Sequence, residues 1–213
     1  MSGKRVRISI FIMVLYNYPM ELTFDFREFW EKTKKIIRSP EAFYKGVEKE
    51  KGWKDAFSYS IAIAVVASLI GVLEISVLYP VFQSALPSIF APQSTPQILD
   101  ILPALFVSAV VVVLLGFVWA GALHFWLRLW KIKGDFASAY KAYTYSRAPN
   151  SLLGWIPYVG GLFGLYSIYV LVVGISVHYK ISKKKSFLLL IGPLLLLFVL
   201  QVLFFAAVSN VAP

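Results

Sequence analysis

Apolar side chains recur at helical spacing between residues 22 and 38: Leu22, Phe26, Phe29, Trp30, Ile36 and Ile37. Arg27, Lys32, Lys34, Lys35 and Arg38 fill the positions between them. This pattern predicts an amphipathic helix lying in a membrane interface, with Phe26, Trp30, Lys32, Lys34, Lys35 and Arg38 as its contacts with lipid or a partner. The competing reading is that the same helix packs on the rest of the chain. A second short helix is predicted after it. Ser39 supplies an N-cap, Pro40 a first-turn proline and Glu41 an acid at the positive helix end, while Phe43, Tyr44 and Val47 form its buried side and Gly52 stops it.

Beyond residue 55 the pattern becomes one of long apolar stretches, each near the length needed to cross a hydrocarbon core of about 30 Å. The predicted spans cover residues 56–79, 102–127, 137–155, 161–178 and 186–208. The apolar run from Ala148 to Tyr179 decides the topology, because basic residues flank both of its ends. Two flanks on one side require a hairpin of two passes, and Trp155-Ile156-Pro157-Tyr158-Val159-Gly160-Gly161 supplies the turn. The first arm then has to begin near Ala137, which draws Lys141 and Arg147 into the apolar layer. A single tilted helix over 148–179 is the four-span alternative, and it leaves four lysines on the outer side. Small residues mark close-packing faces: Ala56, Ser60, Ala64, Ala67 and Gly71 on the first span, and Gly164, Ser167 and Gly174 with His178 on the fourth.

The fold class expected is therefore an all-α membrane protein, a polytopic bundle of about five transmembrane helices with an amphipathic interfacial helix at its amino-terminal end. Residues 1–20 form an N-terminal extension whose apolar run is too short to span, with Met20 favoured as the functional start. Residues 21–55 form a cytoplasmic basic segment, and 56–208 the transmembrane domain.

Composition supports this reading, since 59% of the 213 residues are hydrophobic and the mean hydropathy is +0.72. The 21 Lys and Arg residues fall in three zones, 4–54, 128–147 and 180–185. Basic loops near transmembrane ends stay on the inner face, which puts the amino terminus in the cytoplasm and the carboxyl terminus outside, in a multi-pass protein of the cell membrane. The formal charge of +10 is explained by orientation and by anionic headgroups, so nucleic acid is not an expected partner. The chain has no cysteine. It also contains no His-Glu-x-x-His pair, no phosphate-binding Gly-rich loop followed by Lys and no Gly-x-Ser-x-Gly, so no enzyme activity, metal or cofactor is expected.

Ionisable residues inside a span point to function, because an arginine near the bilayer centre costs about 2.5–3.5 kcal/mol. Tyr140, Thr144, Arg147 and Ser151 share one helical face, and Pro149 removes a hydrogen bond and kinks that helix. The candidate intramembrane polar site comprises Glu74, Arg147, Thr144, Pro149, Asn150 and His124, with an ion pair expected between Glu74 and Arg147. His124 itself reads as a hydrogen-bonded packing residue.

Several short runs carry a family resemblance. Ser39-Pro40-Glu41-Ala42-Phe43-Tyr44 precedes the first span. Gly134-Asp135-Phe136 leads into Ala139-Tyr140-Lys141-Ala142-Tyr143-Thr144-Tyr145-Ser146, then Pro149, Leu152 and Ile156-Pro157, and Ile168-Tyr169, Gly174-Ile175, His178 and Lys183-Lys184-Lys185-Ser186 follow. On these residues the chain resembles the Yip1 membrane-domain family from about Ser39 to Val208. The resemblance implies a helical membrane bundle with a cytoplasmic amino-terminal region. Eukaryotic members are associated with vesicle traffic and Rab-type GTPases and carry an Asp-Leu-Tyr-Gly-Pro motif. This chain lacks that motif, which puts GTPase binding in doubt and aligns it with the prokaryotic-type Yip1-like proteins. The expected function is non-enzymatic binding of membrane lipids, other membrane proteins or a second copy. The alternative is a small transporter or channel with a polar path around Glu74 and Arg147.

Overall fold

The computed structural model describes residues 9–11, 21–23, 25–50, 52–74 and 98–209. Among these the chain is helical apart from one short antiparallel ribbon, β1 (Ser9–Phe11) against β2 (Glu21–Thr23), with Ile10 opposite Leu22. Leu22 therefore lies outside the helix predicted to contain it. That helix, α1 (Phe26–Arg38), starts later because Asp25 caps it, its carboxylate accepting from the N–H groups of Arg27 at 2.8 Å and Glu28 at 3.3 Å.

The second short helix, α2 (Pro40–Val47), begins at the predicted proline. It ends before Gly52, which instead occupies the left-handed region at φ 71° in the turn to the next helix. Then follow α3 (Lys54–Leu73), α4 (Ile98–Leu129), α5 (Phe136–Ser146), α6 (Ala148–Leu153), α7 (Gly160–His178) and α8 (Lys183–Ser209). Among the described residues three helices are long and apolar enough to cross a membrane: Lys54–Leu73, Pro103–Leu129 and Gly160–His178. Residues 75–79 of the first predicted span, and the loop that follows to residue 97, lie outside the described residues.

The predicted third pass is not one continuous helix. It breaks at Arg147, between α5 and α6, and Pro149 falls in the first turn of α6, where its missing N–H has no intrahelical partner to lose. The two pieces nevertheless run antiparallel to α7 over its full length. Gly134 lies against the Tyr179 ring, the Asn150 N–H donates to Ser167 Oγ at 3.0 Å, and Gly160 lies against the Gly154 backbone. A Cβ on Gly160 would collide with the Gly154 carbonyl oxygen, so the turn closes as tightly as backbone contact permits.

The α1–α2 unit packs across α3, α5 and α7. Phe29, Thr33 and Ile36, spaced to share one side of α1, are buried. Phe29 packs on Tyr59 of α3 with ring centroids 5.3 Å apart, and Tyr44 of α2 is wedged between Tyr145 and His178 and against Gly174. Large apolar side chains face outward along the remaining helix surfaces, among them Leu69, Leu73, Phe106, Val107, Leu114, Leu162 and Leu165. Such a belt suits acyl chains rather than water.

Candidate functional site

The break at Arg147 aims that side chain at the junction of α3 and α4. The two helices run antiparallel: Phe57 meets Phe117 at 5.7 Å, and later residues of α3 border one cleft with earlier residues of α4. Their small residues leave between them a cleft of about 240 Å³, lined on α3 by Ile63, Ala64, Ala67, Ser68 and Gly71, and on α4 by Leu105, Ser108, Ala109 and Val112. Arg147 and Ser151 complete it. The small-residue face of α3 thus divides: Ala56, Ser60 and Ala64 are buried in helix packing, whereas Ala67 and Gly71 border open space.

Arg147 donates from Nη1 to the Val112 carbonyl at 3.4 Å, and its guanidinium carbon lies 5.8 Å from the Tyr143 ring. Bonding to a backbone carbonyl replaces the expected ion pair with Glu74. Among the described residues no carboxylate lies within 4.0 Å of Arg147, and Glu74 is exposed at the end of α3. Antiparallel pairing explains the separation. Val112 lies level with Ile63 and Ala64, and Glu74 is ten residues farther along α3, about 15 Å.

The other predicted site residues do not line the cleft. Thr144 and Pro149 are buried in the α5–α6 hairpin arm. Asn150 is exposed and binds Ser167 through its backbone. His124, expected to be hydrogen-bonded, has a buried Nδ1 without a hydrogen-bond partner among the described residues, and its ring stands edge-on to Phe136 at 6.3 Å.

A second polar cluster holds α1 and α2 to the bundle. Lys141 is buried and donates from Nζ to the carbonyl oxygens of Val47 at 3.4 Å and Glu50 at 2.5 Å. It closes the carboxyl-terminal end of α2, where free carbonyls and the helix dipole favour a cation. The Glu50 carboxylate accepts from Tyr145 Oη at 3.1 Å and pairs with Lys32 Nζ at 3.5 Å. Thr33 donates to the Phe29 carbonyl, so its 2.9 Å contact with Tyr59 is donated by the tyrosine hydroxyl. Sequence spacing could flag Lys141 as a cation forced into an apolar layer, but its partners lie 91 and 94 positions away.

Lys32 is therefore committed to internal ion pairs with Glu50 and, at 3.6 Å, Glu28, and is corrected from its expected role as an outward contact. Phe26 and Trp30 remain 63% and 45% exposed. Lys34 lies 5.8 Å from the Trp30 ring and pairs with Glu31, while Lys35 and Arg38 are exposed and make no ion pair within 4.0 Å among the described residues. At the other end of the unit, Glu41 accepts from Lys183 at 2.6 Å and Lys45 at 2.9 Å. These two bonds hold its carboxyl at about 2, far below its ordinary 4.5. Burial pushes the Tyr44 hydroxyl well above its ordinary value, so it stays protonated and donates to the Ala142 carbonyl at 3.0 Å.

The family model for the Yip1 domain matches residues 34–204, from α1 through most of α8. No curated protein and no solved structure matches the chain.

Proposed function

The chain belongs to the Yip1 family and is a membrane protein, and from that premise we propose that it is a non-enzymatic binder of membrane lipids, with α1 as its docking platform. The reading rests on the division of α1 into two sides. Phe29, Thr33 and Ile36 lock one side into the bundle, and the other presents Phe26 and Trp30 beside Lys34, Lys35 and Arg38. An aromatic row beside a basic row is the chemistry of an anionic lipid surface: rings enter the headgroup layer and cations meet phosphates. Anchoring through Tyr59 and Glu50 presents this surface at a fixed height, which also suits docking of a neighbouring membrane protein.

The proposed topology has five passes in a cell membrane, with α1 and α2 on the cytoplasmic side and the carboxyl terminus outside. The antiparallel match of α5–α6 with α7 supports counting two passes there.

A transporter reading draws on the cleft at Arg147. The packed Tyr140, Ala148 and Ala120 beneath it, all fully buried, weigh against a continuous path.

The platform is tested on the full-length protein in nanodiscs of phosphatidylcholine doped with phosphatidylglycerol. Each interfacial cation adds about 1 kcal/mol of attraction to anionic lipid. Lys34→Gln/Lys35→Gln/Arg38→Gln should therefore lower phosphatidylglycerol enrichment around the protein by about 100-fold at low salt. Unchanged enrichment in a folded triple variant refutes the platform.

A further inference from the structure

The cleft between α3 and α4 lies along the second half of α3, beyond the α1 contact at Tyr59, and it is chemically different from the basic platform. The geometry points to a fatty-acid site: the carboxylate of a single-chain fatty acid binds Arg147, and the first part of its acyl chain lies along Ala64, Ala67 and Gly71. This site goes beyond the headgroup binding assigned to α1 and does not rest on it.

Three observations carry the assignment. The first is unused donor capacity. A guanidinium offers five N–H groups in a planar fork, yet Arg147 makes one long bond to a carbonyl, at 3.4 Å, and has no carboxylate within 4.0 Å among the described residues. A bidentate anion satisfies this fork better than a carbonyl dipole does. Ser68 and Ser151 border the same cleft and make no side-chain hydrogen bond among the described residues, so each has a hydroxyl donor to add.

The second observation is size. At about 240 Å³ the cleft is smaller than the roughly 300–1,000 Å³ of pockets that enclose drug-sized ligands. A slender carboxylate and part of its chain fit within it. The third is depth. Val112 pairs Arg147 with the level of Ile63 and Ala64, ten residues into α3 and about 15 Å from its start. An anion reaches that depth ionised only beside a fixed cation, and Arg147 is that cation.

The experiment measures binding of radiolabelled palmitate to the full-length protein in phosphatidylcholine nanodiscs, with methyl palmitate and inorganic phosphate as competitors. Palmitate should bind saturably, methyl palmitate should compete at least about tenfold more weakly because it lacks the charge, and phosphate should not compete. Arg147→Gln should weaken palmitate binding by about tenfold or more. Gly71→Leu tests the cleft without touching the cation, since a Cβ there meets nothing within 4 Å and the longer side chain occupies the open space. It too should weaken palmitate at least about tenfold. Wild-type affinity in folded Gly71→Leu, or equal competition by the methyl ester, overturns the assignment even where Arg147→Gln fails to fold. Phosphatidylglycerol enrichment at the α1 platform should be unchanged in both variants, so failure of one site is distinguishable from failure of the other.

Discussion

Gly174→Ala tests whether α2 is held to the bundle by side-chain fit. A Cβ at position 174 would stand 2.7 Å from Tyr44 Cζ, 2.9 Å from its Oη and 3.0 Å from its Cε1. The ring cannot swing aside, because Tyr44 is fully buried, meets Phe43, Tyr145 and His178 edge-on, and donates to the Ala142 carbonyl at 3.0 Å. Relief has to come from moving α2 away from α7. Overpacking of this kind costs about 1–3 kcal/mol, and loss of the tyrosine bond adds about 0.5–1.5 kcal/mol. The combined destabilisation should therefore be about 2–4 kcal/mol. Unfolding titrations in mixed micelles measure it, with Tyr44→Leu as the second arm of a double-mutant cycle. Without the ring, Gly174→Ala should cost less than about 0.5 kcal/mol, because the coupled partner is gone. An equal cost in both backgrounds refutes the reasoning and moves the effect of Gly174 to α7 itself.

Glu41 links α2 to the start of α8 through Lys183, and its carboxyl is held near 2 against an ordinary 4.5. A depressed folded value means that the contribution is complete above 4.5 and is lost as the pH falls through about 2. Spin labels at Gly46 and Lys184 should keep one separation from pH 7 to 5 and move apart between about 4.5 and 2, and Glu41→Gln should flatten that profile. High salt should weaken the contact as well, since the group is exposed. For topology, a reporter fused after Ser182 should report the cytoplasmic side. An external signal there would remove the hairpin of α5–α6 and α7 as a pair of crossings.

The elements most legible in the sequence were those set by local chemistry. Pro40 and Glu41 start α2 where their helix-end preferences place them, and the aromatic and glycine run 155–161 closes the turn before α7. The antiparallel neighbour of α7 was legible as well, because the turn residues 155–161 fold α5–α6 back along it. The start of α1 was displaced because a 3.6-residue pattern does not stop at a cap. Leu22 continues the apolar periodicity, but Asp25 accepts the first free N–H groups and ends the helix there. Lys141 was placed in the apolar layer, but its role was not legible, since a lysine capping α2 requires knowing which helix end arrives beside it.

The misplaced pairing of Glu74 with Arg147 has the same origin and a further lesson about depth. Counting residues inward from a turn converts to ångströms only along an unbroken helix, at about 1.5 Å each. Between the turn at Trp155 and Arg147 the chain passes through α6, six residues long, and a helix break, so separation in sequence from the turn does not fix the depth of Arg147. The contact that fixes the level of Arg147 lies on α4, at Val112, and α4 reads against α3 through Phe57 and Phe117. That register puts Arg147 beside Ala64, where α3 offers no charged side chain to the cleft, and puts Glu74 beyond reach. Without a protein carboxylate within 4.0 Å among the described residues, an arginine beside an apolar cleft has a ligand as its natural counter-ion. Gly71 keeps space for that ligand's chain, which makes the Gly71→Leu measurement the sharper of the two tests: it asks about the ligand while leaving the cation in place.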